Sequence, residues 1–197
     1  MTASAKASSA TPSLWDQAFN SLDSDLRNGL NSTRTHKRDI LEAVLKEIEA
    51  KRDVAVRKRW KFKKPNGDVV VVRDVLEKTA RWINRFKETG DVIAQYDPVH
   101  LSLPWAAFRF LLQTAVSEVQ VFGAMADDLE TIARIVTRYR EFERLYLQGM
   151  KSELELMLEE ALTRLYAEIL THLARAVRFF GEKSMGEFQL LTLLISS

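Results

Sequence analysis

No cysteine occurs in the chain, which excludes disulfides, thiolate zinc sites and a cysteine nucleophile. That usage fits a reducing cytosol. Proline and glycine are scarce, four and seven in 197 residues, so there are few places where a helix has to stop. Neither sign of charge dominates. With 29 basic and 27 acidic side chains the formal net charge is +2, and no global field points to nucleic acid or membrane. Long hydrophobic runs are missing too. The longest, residues 188–195, is interrupted by Gln189 and Thr192 and falls far short of the roughly 20 residues of a membrane span. Residues 1–12 have no apolar core segment, so they do not read as a secretory signal and are expected to form a disordered lead.

Catalytic signatures are absent as well. There is no G-x-S-x-G elbow, no H-E-x-x-H and no dinucleotide glycine pattern. His36, His100 and His172 are scattered, and His172 reads as a core-edge histidine. Gly181-Glu182-Lys183-Ser184 lacks both the preceding strand and the earlier glycine of a phosphate loop. The adjacent pairs Asp127-Asp128 and Glu159-Glu160 diverge around a helix and make no paired carboxylate site. These observations predict no enzyme activity, no cofactor, no metal and no small-molecule substrate.

What the chain does have is apolar periodicity: 46% of its residues are hydrophobic and 28% charged. Phe122, Met125, Leu129, Ile132, Val136, Tyr139 and Tyr146 alternate by three and four and mark one face of a long helix. Glu143 is the single charged residue on that stripe. A second long helix is expected to start at the Ser152/Glu155 capping box and run to about Phe180, with Leu158, Leu162, Leu165, Ile169, Leu173, Ala176 and Phe180 inward. The short link between the two long helices predicts antiparallel neighbours within one chain, and the same spacing also suits a coiled coil between chains. Upstream, Ser13 and Asp16 open a helix that Asn28-Gly29 should stop, and residues 34–58 form another. Residues 72–87 form a third, with Val75, Thr79, Trp82 and Phe86 on one face and Thr89-Gly90 at its end. Asp97-Pro98 and then Ser102-Leu103-Pro104 read as helix starts. They lead into Trp105–Val116, which is apolar almost all round apart from Arg109 and is expected to be the most buried helix. The fold class predicted is all-α: a multi-helix bundle over residues 13–180 with a weakly patterned tail, 181–197.

The one expected exception to helix is also the best binding candidate. Lys64-Pro65-Asn66-Gly67 is a turn signal between Trp60–Lys63 and Asp68–Val71, predicting a small β-hairpin. Around it cluster Arg57, Lys58, Arg59, Trp60, Lys61, Phe62, Lys63 and Lys64. Those cations can neutralise phosphates while the aromatics stack on bases or seat in a headgroup layer. Alternatively the aromatics cap the core and the lysines are solvated. No nucleic-acid motif accompanies the charge, which disfavours nucleic acid as the partner. The first helix offers a further alternative, a bundle helix or one that enters a bilayer, but Asp16, Asp23 and Asp25 would be repelled by anionic lipid.

Several phrases have a familiar form. They are Trp60-Lys61-Phe62, Asn66-Gly67-Asp68-Val69, Arg73-Asp74-Val75-Leu76-Glu77-Lys78, Tyr96-Asp97-Pro98-Val99-His100, Leu103-Pro104-Trp105 and Phe110-Leu111-Leu112-Gln113. Over residues 14–180 the chain resembles a fungal helical domain found ahead of NACHT NTPase and ankyrin-repeat modules. Those are NLR-like proteins of the STAND class of signalling ATPases. Asp97, Pro98, Pro104 and Trp105 carry the most specific part of that resemblance. It implies a cytoplasmic signalling module that binds a protein partner or itself. Membrane-acting HeLo-like bundles stand in the same position, so docking of the basic patch on an anionic membrane is the alternative. The nucleotide-binding residues of such proteins are not in this sequence. A free-standing or truncated version is expected, and ATP binding is not carried over.

Overall fold

The computed structural model describes residues 12–33, 40–90, 102–114, 118–147 and 152–195; for 89–90 and 183–195 only the backbone is described. Helices α1 (Leu14–Ser21), α2 (Ser24–Ser32) and α3 (Ile40–Arg57) precede a hairpin of β1 (Lys61–Lys63) and β2 (Val69–Val71). Helices α4 (Val72–Gly90), α5 (Leu103–Gln113), α6 (Val119–Tyr146) and α7 (Glu153–Ile195) follow. The fold is an all-α bundle with one two-stranded antiparallel sheet among the described residues.

The first expected helix is two. Ser13 and Asp16, expected to open it, form a capping box, with Ser13 Oγ accepting from the Asp16 N–H at 3.1 Å and Asp16 Oδ2 accepting from the Ser13 N–H at 3.0 Å. Leu22 then leaves the helix at φ −72°, ψ 153° and buries its side chain, and the chain restarts at Asp23-Ser24. Gly29 lies inside α2 and does not end it. Burial of Leu22 accompanies the break, and Asp23 takes the N-cap position of α2 in an extended conformation without a side-chain capping hydrogen bond.

α5 is the most buried element, as expected. Pro104 sits in its first turn, Ser102 at the N-cap position accepts from the Ala106 N–H at 2.9 Å, and Trp105, Phe108, Leu111 and Leu112 are enclosed. Trp105 meets Phe86 at 4.9 Å and Phe108 at 5.1 Å between ring centroids, both edge-on. Pro104 and Trp105 are therefore core. Asp97 and Pro98 lie outside the described residues.

α6 and α7 are antiparallel: Glu143 faces Tyr166 while Asp128 faces His172. Each rests mainly on another helix, however. α6 lies chiefly along α4, and α7 along α1, α2 and α5. The α4–α6 seam is pinned where Trp82 Nε1 donates to Glu130 at 3.0 Å and Thr137 Oγ1 donates to the Trp82 carbonyl at 3.1 Å. Nor does α7 stop near Phe180. Its backbone stays helical to Ile195, so Gly181–Ser184 is helix and no phosphate loop. The Ser152/Glu155 box does start it, at 2.6 and 3.3 Å.

Candidate interaction surfaces

The basic edge is built by the way α3 ends. Arg59 takes a left-handed conformation, φ 53°, and its N–H donates to the Val56 carbonyl at 3.2 Å; the Trp60 N–H donates to the Ala55 carbonyl at 2.9 Å. This is a Schellman closure with arginine where glycine is usual. The hairpin follows in the register Lys61↔Val71, Phe62↔Val70, Lys63↔Val69. Period-two alternation then sends Phe62 inward and Lys61 and Lys63 outward. The Phe62 ring lies so close to α6 that a Cβ on Gly123 would meet it at 2.4–2.6 Å. Gln120 clamps the same strand, its Oε1 accepting from the Lys63 N–H at 2.9 Å and its Nε2 donating to the Lys63 carbonyl at 2.6 Å.

Of the eight patch residues singled out from the sequence, five share this surface. Arg57, Lys58, Arg59, Lys61 and Lys63 are exposed and have no acidic partner among the described residues. Trp60 and Phe62 face the core, Trp60 at 5.4 Å from the Phe122 ring, so neither is presented for stacking on bases. Lys64 pairs with Asp127 at 2.7 Å. Val56 and Val69, both more than half-exposed or at half, stand among the cations.

A second surface was not singled out from sequence. Where α6 ends and α7 begins, Phe142, Leu145, Tyr146, Leu154, Leu156 and Met157 are 43–77% exposed. Tyr139, Phe142 and Tyr146 make a ladder of rings 5.5 and 5.9 Å apart. The charges in this stretch have both signs: Glu153 and Glu155 stand at the start of α7, Arg144 pairs with Glu141 at 3.2 Å, and Arg164 pairs with Glu160 at 2.5 Å. The signal was in the sequence: Leu145, Leu154, Leu156 and Met157 fall off both inward stripes, so the bundle had no use for them.

Just inside this apolar tip, Glu143 takes up its odd place on the stripe. It accepts from the Tyr166 hydroxyl and from Arg140 Nη1 at 3.2 Å. Burial pushes its carboxyl above the ordinary value, while the bonds from Tyr166 and Arg140 pull the other way. Burial, together with the Glu143 charge, also raises the Tyr166 phenol. His172 is exposed rather than at the core edge, 3.9 Å from Asp128 at the rim of a trough between α6 and α7. That trough, about 460 Å³, is floored by Leu111, Met125, Leu173 and Phe180. No group of acidic and histidine side chains suited to a metal occurs among the described residues, and no helix there is long and apolar enough to cross a membrane.

The geometry thus defines a helical bundle with a basic edge at one end of α6 and an apolar tip at the other. The chain belongs to the DUF7708 family, a domain of unknown function, whose model matches residues 74–190. The match takes in α4 to α7, Pro104 and Trp105, and continues past Phe180; the basic edge precedes it. No curated protein and no solved structure matches the chain.

Proposed function

We propose that the chain is a non-catalytic signalling and interaction module, of the kind found N-terminal to the NTPase in fungal NLR-like STAND proteins, and that it works in the cytoplasm. The apolar tip supports this reading most strongly. Six large apolar side chains are left in solvent side by side by a chain that buries such residues from every helix. Cross-linked capture from host lysate tests it with a tip variant, Leu154→Ser/Met157→Ser, as the control. Capture of a defined protein, or of further copies of the chain, by wild type and not by the variant is expected. Equal capture by both would overturn the tip as the working surface.

A second reading is favoured by the five exposed cations of the basic edge, which have no acidic partner among the described residues, and by its two exposed valines: peripheral docking on an anionic membrane. Vesicles containing phosphatidylserine or phosphoinositide should float the wild type at low salt and leave Lys61→Glu/Lys63→Glu behind. Absence of flotation by the wild type removes this reading.

A further inference from the structure

We propose that the trough between α6 and α7 binds a free fatty acid, one acyl chain lying along the seam with its carboxylate on Arg175. The site is distinct from the apolar tip and from the basic edge, and it stands whether or not either of them binds a partner.

The trough exists because each long helix rests on other neighbours. α6 packs chiefly on α4, and α7 on α1, α2 and α5, so the seam between α6 and α7 stays open above Leu111 of α5. Ala124 and Ala176 line it with single methyl groups. The space, about 460 Å³, falls in the roughly 300–1,000 Å³ range of small-molecule sites. Its lining runs from Gln120 to Leu129 on α6, a rise of roughly 14 Å, and from His172 to Phe180 on α7, roughly 12 Å. Spread over that length, the volume has a mean cross-section on the order of 35 Å². That admits an extended hydrocarbon chain and is less than half of a helix about 10 Å across. Met125, Leu129, Leu173 and Phe180 are enclosed beneath it. Phe179 lines it too, 59% exposed, its ring edge-on to Phe180 at 5.1 Å between centroids. A chain laid in the slot covers that ring and removes apolar surface from water on both sides.

Charge selects the head group. Arg175 lines the mouth, is exposed and has no acidic partner among the described residues. The single carboxylate among the lining residues, Asp128, is turned to His172 at 3.9 Å. A guanidinium can take a carboxylate through two parallel N–H bonds. Arg175 stands about one helical turn from both His172 and Phe179, so a head held there leaves the chain to run over Phe179 along the slot.

Calorimetric titration with laurate, kept below the concentration at which it forms micelles, tests the inference. Wild type should bind one laurate per chain, and dodecanol, the same chain without the charge, about tenfold more weakly, a difference of about 1.4 kcal/mol. Arg175→Glu should weaken laurate by at least about tenfold and leave dodecanol unchanged. Ala124→Trp, which fills the slot from an exposed position, should lose both ligands. Circular dichroism melts of the two variants should match the wild type. Lys61→Glu/Lys63→Glu should bind laurate as the wild type does, whatever becomes of its vesicle flotation. No saturable binding by wild type, undiminished binding by Ala124→Trp, or dodecanol binding as tightly as laurate would overturn the proposal. So would an Arg175→Glu variant that binds laurate normally, or a loss of laurate in Lys61→Glu/Lys63→Glu, which would move the head group to the basic edge.

Discussion

The Tyr166 hydroxyl on α7 donates to the Glu143 carboxylate on α6, and the Tyr166 ring lies flat against Trp15 of α1, with 4.1 Å between centroids and 8° between planes. One side chain thus ties three helices together at the end of the bundle that carries the apolar tip. The charge it anchors is nearly enclosed, with 14% of the Glu143 side chain exposed, and is shared with Arg140.

That enclosure sets a pH dependence. Burial raises the folded Glu143 carboxyl above its unfolded value, with the Tyr166 bond and Arg140 only partly opposing it. The folded state therefore binds this proton more tightly than the unfolded state does. The stabilisation is absent well above the raised value and is gained as pH falls through it toward the unfolded one. Glu143→Gln keeps an acceptor for Tyr166 and removes the titration. Urea midpoints should show wild type gaining on Glu143→Gln as the solution is acidified from neutrality. A difference that stays flat with pH would contradict the assignment.

Tyr166→Phe removes the donor and leaves the carboxylate enclosed. At neutral pH it should cost about 1.5–3 kcal/mol, the range for a hydrogen bond to a charged group. In Glu143→Gln the same substitution should cost less, near 1 kcal/mol. A double-mutant cycle in urea measures the difference. Equal costs would mean that the Glu143 charge adds nothing to the bond.

Gly123 and Phe62 make a second testable pair, since a Cβ at 123 would fall within 2.6 Å of the ring. Gly123→Ala should destabilise by about 1–3 kcal/mol through overpacking, and Phe62→Ala by about 3–5 kcal/mol through the lost ring. The double variant should cost clearly less than the sum, because the new methyl enters space the ring has left. Simple additivity in equilibrium unfolding would show that the two do not touch.

Much of this was legible beforehand, for identifiable reasons. The α6 stripe, the inward faces of α3 to α5 and the hairpin follow from periodicity and one turn signal, which are local properties. Phe62 between Lys61 and Lys63 was equally readable, since a strand turns alternate residues to opposite faces. Helix partners were not. An apolar face states that a helix is covered, and α6 being covered by α4, and α7 by α1, depends on contacts between distant segments. The break at Leu22 was missed because a buried leucine carries no local sign of an extended backbone. Helix beyond Phe180 was missed because Gly181 and Gly186 argue locally against it, while the preceding turns of α7 extend it at low cost. The tip escaped notice because Phe142, Leu145, Leu154, Leu156 and Met157 lie outside the inward stripes and were given no role, and because Tyr146 was placed on the α6 stripe although it is 53% exposed.

At Arg59 the left-handed backbone makes a different prediction. A side chain in this region costs roughly 1–2 kcal/mol, which glycine avoids while giving back part of it as unfolded-state entropy. Arg59→Gly should therefore raise stability by up to about 1 kcal/mol in urea or thermal unfolding, although it removes a long side chain. A loss of stability would mean that the arginine makes compensating contacts.

Lys61 and Lys63 should be almost silent in the fold. Both point away from the core, and the hairpin is held by Phe62 between them and by Gln120 through the Lys63 backbone rather than its side chain. Lys61→Glu/Lys63→Glu leaves each of those attachments in place and lowers repulsion among five neighbouring cations. The unfolding midpoint should move by no more than about 0.5 kcal/mol, as for surface substitutions without buried partners. Phe62→Ser should be costly by comparison, because it removes the anchor of the strand and buries a hydroxyl in apolar surroundings. If Lys61→Glu/Lys63→Glu melts like the wild type yet loses vesicle binding, the loss belongs to the charge of the edge. If it melts early, the lysines support the hairpin, and flotation of that variant does not report on a surface.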